Sequence, residues 1–177
     1  MLPILLALAI IAILFFILLV GRPDEFKVMR SATIAAPPAT AFEQVNDFHK
    51  WDNWSPWAKL DPECRNTFSG AAAGRNASFA WDGNKKVGAG RMTITESQSP
   101  ELIRINLEFL RPFAATSITE FTFRLQGGQT LATWTMTGKN NFISKVFGLF
   151  MDCDTMVGKD FEKGLASLKS IAEAPAR

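Results

Sequence analysis

Beyond the first twenty residues, hydrophobic and polar positions alternate with a period of two for most of the chain. They switch to a helical period only near its end. Phe26, Val28, Arg30, Ala32 and Ile34 alternate with Lys27, Met29, Ser31 and Thr33, which predicts a first strand. Pro37-Pro38 breaks it, and Pro38 or Ala39 can open a helix whose apolar stripe is Ala41, Phe42 and Val45. A second short helix is expected over residues 47–54. There Trp51 and Trp54, three apart, share a face; Pro56 stops the helix and Trp57 leaves it pointing elsewhere.

The middle of the chain reads as consecutive strands. The first covers 65–69. The next holds Ala77, Phe79 and Trp81, followed by the turn signal Asp82-Gly83-Asn84. Residues 87–96 follow, with Met92 and Ile94 on one face together with Gly88 and Gly90. The glycines mark a bulge or a close approach and are expected to leave room beside them. Ile103, Ile105, Leu107 and Phe109 alternate cleanly with Arg104, Asn106 and Glu108. Residues 116–125 set Phe121 and Phe123 opposite Glu120 and Arg124, and 130–138 set Trp134 and Met136 on one face. From Phe142 the spacing is helical. Phe142, Val146, Leu149 and Phe150 form one stripe, and Met156, Phe161, Leu165, Leu168 and Ile171 continue it past an acidic break at Asp152-Cys153-Asp154. Strands in hairpin succession followed by a long helix predict an α+β domain. Its antiparallel sheet has one face to bury, and the amphipathic C-terminal helix is the element long enough to cover it.

Residues 1–20 are a separate object: they carry no charged side chain and match the span of a bilayer core. A cleaved signal peptide would have a basic start and a small-residue cleavage pattern. Neither is present, so an uncleaved single-pass anchor is expected, with a polar linker over 21–25 and one domain over 26–177. Arg22, Lys27 and Arg30 follow the span, which by the positive-inside rule places that domain in the cytoplasm. A net charge of +2 is too small to argue for nucleic acid. Two distant cysteines, Cys64 and Cys153, do not make a disulfide framework and read as free thiols.

Four stretches carry a resemblance: Ser31-Ala-Thr-Ile-Ala-Ala-Pro-Pro38, Asp47-Phe-His-Lys-Trp-Asp-Asn-Trp-Ser-Pro-Trp57, Gly83-Asn-Lys-Lys-Val-Gly-Ala-Gly-Arg-Met92, and residues 151–168. With the element order, they resemble the SRPBCC or START-like superfamily, in particular its bacterial polyketide cyclase/dehydrase branch. The resemblance covers Phe26 to the C-terminus. It implies a helix-grip fold, in which a curved antiparallel sheet wraps the C-terminal helix and leaves a hydrophobic cavity between them. Members of the superfamily bind lipids, sterols, hormones or polyketides, and some are enzymes.

Residue chemistry gives little support to catalysis. His49, the one histidine, sits in a Lys- and Asp-rich turn and reads as solvated or capping. Asp152, Asp154 and Asp160 lack the spacing of a calcium loop, and Asp154 is expected to cap the last helix. There is no tyrosine. No metal or other cofactor is expected. What remains is apolar: Trp54, Trp57, Trp81, Met92, Phe109, Phe121, Trp134, Met136, Phe150 and Met151, with Phe113 and Met156, are expected to converge between sheet and helix. They either pack solid as a core or line a small-molecule pocket. The expected function is membrane-anchored binding of a hydrophobic small molecule or lipid. The alternatives are a polyketide cyclase-like enzyme and a non-catalytic structural or interaction protein.

Overall fold

The computed structural model describes residues 2–140, 142–149 and 153–175. Helix α1 (Leu2–Val20) leads into strand β1 (Glu25–Ile34). Helix α2 (Pro38–Asn46) and a 3-10 helix (Phe48–Asn53) follow. Six strands come next: β2 (Arg65–Gly70), β3 (Ala77–Asp82), β4 (Ala89–Gln98), β5 (Leu102–Arg111), β6 (Ala115–Gln126) and β7 (Gln129–Lys139). The chain ends with α3 (Phe142–Phe147) and α4 (Cys153–Ala172). The strands form one curved antiparallel sheet in the order β1-β7-β6-β5-β4-β3-β2, so the first strand closes against the last. This is the α+β helix-grip arrangement.

The period-two pattern sorts side chains onto two faces. On the inner face, Val28, Met136, Thr119, Ile105 and Ile94 stand in one cross-strand row, and Arg30, Trp134, Phe121 and Ile103 in the next. A third row crosses all seven strands: Phe26, Gly138, Ser117, Leu107, Met92, Phe79 and Phe68. Helix α4 lies across β1 and β7 and buries Phe161, Leu165 and Leu168, one turn apart on one stripe. Full burial of each such side chain is worth about 1.5–3 kcal/mol. Helix α2 starts with Pro38 in its first turn and covers β5 to β7 with Ala41, Phe42 and Val45.

Several local expectations need correction. Asp82-Gly83-Asn84 opens the hairpin from β3 to β4, as expected, but the turn runs beyond those three residues. Asp82 pairs with Ala89 across a six-residue loop, in which the Asn84 and Gly83 N–H groups donate to the Asp61 carboxylate and the Gly88 carbonyl. Gly90 of β4 stands at a register shift, and both it and Gly88, just before the strand, mark a close approach, as expected, but they leave no room. The Trp81 ring fills the space where a Gly90 side chain would stand, and Gly88, at φ +66°, faces the Arg111 carbonyl. Asp154 lies inside the first turn of α4, where its carboxylate pairs with Arg30. Met156 and Phe113 do not join the inner face; they are 52% and 54% exposed.

Candidate functional site

The inner face is lined almost wholly by apolar side chains, and an aromatic chain runs through its centre. Trp51 and Trp54, one 3-10 turn apart, have ring centroids separated by 4.7 Å and planes tilted by 51°. Trp54 meets Phe121 and Trp134 edge-on at 6.0 and 5.7 Å. Trp57, released from the helix at Pro56, crosses over to Trp134 and Phe161 at 5.8 and 6.4 Å. Trp134 is tilted on Phe121 at 4.7 Å and stacked on Phe161 of α4 at 3.9 Å. Of the residues singled out from the sequence, the structure therefore brings Trp54, Trp57, Phe121 and Trp134 together at one point.

Met92 and Met136 lie on the same face, buried beside Leu107. Trp81 and Phe109 lie farther toward β2, edge to face at 6.1 Å. They continue through Phe79 to Phe68, which is 37% exposed. The 3-10 helix reaches this part of the sheet through Phe48 on Phe79 and His49 on Phe68, and the aromatic side chains here are only partly buried. Phe150 and Met151 lie outside the described residues.

Polar groups on the inner face are few, and most are satisfied. The Trp51, Trp54 and Trp81 ring N–H groups donate to the carbonyls of Val45, Gln44 and Val87 at 2.9, 3.1 and 3.1 Å. The Trp134 Nε1 group is buried and has no acceptor among the described residues. Such a group costs about 1–3 kcal/mol. The hydroxyl-bearing Ser117 and Thr119 are buried on neighbouring inner positions of β6.

Arg30 is the charged side chain that β1 turns inward beside Trp134. Its guanidinium donates to the Asp154 carboxylate at 3.0 Å, the Glu162 carboxylate at 2.8 Å and the carbonyls of Met29 and Asp154. Those two carboxylates raise its pKa further above the ordinary arginine value. Gly158 makes the approach possible, since the guanidinium occupies the space where a side chain there would stand. Arg30 is thereby committed to clamping α4 onto β1.

Other titratable groups lie at the edge of this face or away from it. His49 Nδ1 sits 2.9 Å from the Asp47 carboxylate, and its ring stacks on Phe68 at 4.1 Å. Asp47 is the capping residue here, accepting from the His49 N–H. Burial raises the Cys64 thiol above its ordinary range. Arg104 bridges Glu96 and Glu120, beside a surface depression of about 630 Å³ with a mixed polar and apolar lining and one of about 510 Å³ lined by polar residues.

This geometry has known counterparts. Residues 25–173 match the profile of the family described as polyketide cyclase / dehydrase and lipid transport. The chain belongs to that family. No curated protein matches it in sequence. Among solved structures it is similar to a protein from Chromobacterium violaceum, with 14% identity and TM-score 0.59, covering 86% of this chain and 99% of that one. A major latex-like protein from Panax ginseng has 12% identity and TM-score 0.62, over 86% and 100% of the two chains. The di-domain ARO/CYC BexL of the BE-7585A biosynthetic pathway has 15% identity and TM-score 0.62 over 90% of this chain and 53% of its own. At these identities the likeness establishes the fold, and family membership points to a hydrophobic-ligand-binding fold.

Sequence reasoning missed Trp51 as part of the aromatic chain, the Arg30 clamp and the buried hydroxyls of β6. The alternation did place Arg30, Ser117 and Thr119 on buried registers. Arg30 is separated from Asp154 and Glu162 by more than a hundred residues, and no local pattern links them.

Proposed function

We propose that the protein binds a hydrophobic small molecule or lipid against the inner face of its sheet, beneath α4, with Trp134 at the floor of the site. Trp54, Trp57, Phe121, Met92 and Met136 supply apolar contact, and Trp81 and Phe109 form the open side. Phe150 and Met151 are assigned to the α4 side on sequence alone. The observation that carries this reading is the Trp134 N–H. Three other indoles of the domain reach carbonyls, whereas this one is buried without an acceptor among the described residues. A ligand oxygen would satisfy it, and the buried Thr119 and Ser117 hydroxyls stand one and two rows farther along the same face. The expected ligand is therefore apolar and neutral, with a hydroxyl, carbonyl or ether oxygen. Arg30 is already neutralised and offers no charge to a ligand.

Helix α1 is long and apolar enough to cross a membrane, and the same properties suit a signal sequence. We infer a retained single-pass anchor over 1–20, a linker over 21–25 and a ligand-binding domain over 26–177 on the cytoplasmic side. The anchor would keep the site beside lipid-soluble ligands. The close stack of Trp134 on Phe161 favours the competing reading, a filled core in an interaction protein.

Tryptophan quenching separates the two. All five tryptophans lie between Trp51 and Trp134, outside α1. A brominated fatty alcohol added to the full chain in lipid nanodiscs is expected to quench them saturably at about one molecule per chain. The quenching is expected to weaken in Trp134→Phe, which keeps an aromatic ring but removes the N–H. Quenching that only follows bulk partitioning into lipid would favour the filled core.

A further inference from the structure

The two ends of the sheet differ in surface chemistry, and the register identifies which structures share an end. Glu25 pairs with Lys139, Asp82 with Ala89, Ala89 with Arg111 and Phe109 with Ala115. The start of β1, the β3–β4 loop (83–88), the β5–β6 loop (112–114) and the chain leaving β7 for α3 therefore lie together. Helix α1 also enters here, through only four residues, 21–24. Four residues reach roughly 14 Å at most. If α1 spans a bilayer, this end of the sheet is held at the bilayer surface.

The same end exposes Leu110, Phe113 and Phe142, at 64%, 54% and 64%. Arg22, Lys27, Lys85, Lys86 and Lys139 are exposed around them, and none forms an ion pair among the described residues. Of the local acids, Asp24 pairs with Lys145 and Asp82 with Arg111, the Asp61 carboxylate accepts the Asn84 N–H, and Glu25 is exposed opposite Lys139, so the five cations remain in excess. At the opposite end, the turns at 71–76, 99–101 and 127–128 expose no aromatic ring. Leu125, 68% exposed, is the large apolar side chain there.

Aromatic rings settle at the membrane–water interface, and basic clusters are drawn to anionic headgroups. We propose that this end of the domain is a docking surface for an anionic lipid bilayer, with Phe113 and Phe142 in the interface and Lys85, Lys86 and Lys139 against the headgroups. The inference rests on α1 being a retained span. It has a consequence for the proposed site: the partly covered inner row of Trp81, Gly90 and Phe109 lies nearest this end, so the site would open toward the lipid.

The test uses the full chain in vesicles, with Cys64→Ser and Cys153→Ser as background. An environment-sensitive fluorophore is placed at Phe113→Cys or, at the far end, at Leu125→Cys. The vesicles contain a lipid-borne quencher in phosphatidylcholine, with or without phosphatidylserine. We expect strong quenching at 113, little at 125, and an increase at 113 with phosphatidylserine. That increase is expected to be lost in Lys85→Glu/Lys86→Glu, while the chain stays resistant to alkaline extraction. Equal quenching at the two positions in an extraction-resistant chain would overturn the docking surface and leave the anchor standing. Release of the chain by alkaline extraction would overturn the anchor and the docking surface together. Neither result bears on ligand uptake measured by tryptophan quenching.

Discussion

Trp134 of β7 and Phe161 of α4 lie face to face, with ring centroids 3.9 Å apart and planes 7° from parallel. One turn further along α4, a Cβ built on Gly164 would stand 2.8 Å from the Trp134 ring and 3.1 Å from Pro56. Glycine at 164 thus lets the helix settle onto the indole. The stack ties the C-terminal helix to the sheet at the point where the orphaned N–H lies.

Gly164→Ala is therefore expected to destabilise the domain. In an unconstrained helix interior the change gains about 1 kcal/mol. Here the added methyl meets a fully buried ring and a proline, and overpacking of this kind costs about 1–3 kcal/mol. Chemical denaturation should show a lower midpoint than wild type. A midpoint above wild type would mean that α4 moves freely over Trp134.

Arg30 and Gly158 are expected to behave as a coupled pair. Gly158→Ala places a methyl where the guanidinium sits, so Arg30 must leave Asp154. Thermal melts should show a loss for Gly158→Ala in the wild-type background and a smaller loss, or a gain, in the Arg30→Ala background. Additive effects would show that the guanidinium relocates without cost.

Acid sensitivity provides a further check. The Glu173 carboxylate accepts the Ala35 N–H at 2.6 Å and pairs with Lys169 at 3.2 Å. The Ala35 N–H, aided by Lys169, pulls its pKa below the ordinary glutamate value of 4.5. A carboxyl group depressed in the folded state adds stability that is fully present above its unfolded pKa and lost as pH falls through its folded one. The stability difference between wild type and Glu173→Gln should be constant well above pH 4.5 and shrink below it. Melting curves over that range measure it. A difference that persists unchanged into strong acid would show that the contact does not depend on ionisation.

Much of the fold is legible in the sequence, because each strand of this sheet has one face to bury. Ile103, Ile105 and Leu107 alternate with Arg104, Asn106 and Glu108, and Phe161, Leu165 and Leu168 recur at helical spacing, so burial alone specifies both elements. The turn after Asp82 is legible in the sequence, but its course is not, because Asp61, more than twenty residues away, holds the Asn84 N–H. Gly90 reads as empty space in the sequence because a missing side chain does not reveal which neighbour fills it; here it is Trp81. The candidate site was partly legible. Alternation placed Trp134 and Phe121 on one face, but whether an indole N–H finds an acceptor depends on tertiary placement. Trp54 and Trp134 carry the same group, and only Trp54 is satisfied.

The central claim is that the inner face holds a neutral, oxygen-bearing hydrophobic molecule against Trp134. Native mass spectrometry of the full chain, released from its own membrane and paired with organic extraction, tests it most directly. The account predicts a co-purifying apolar compound at near-stoichiometric occupancy in wild type, and its loss in a folded Trp134→Phe variant. A bare wild-type mass that takes up none of the lipids offered, or equal occupancy in both proteins, would contradict it.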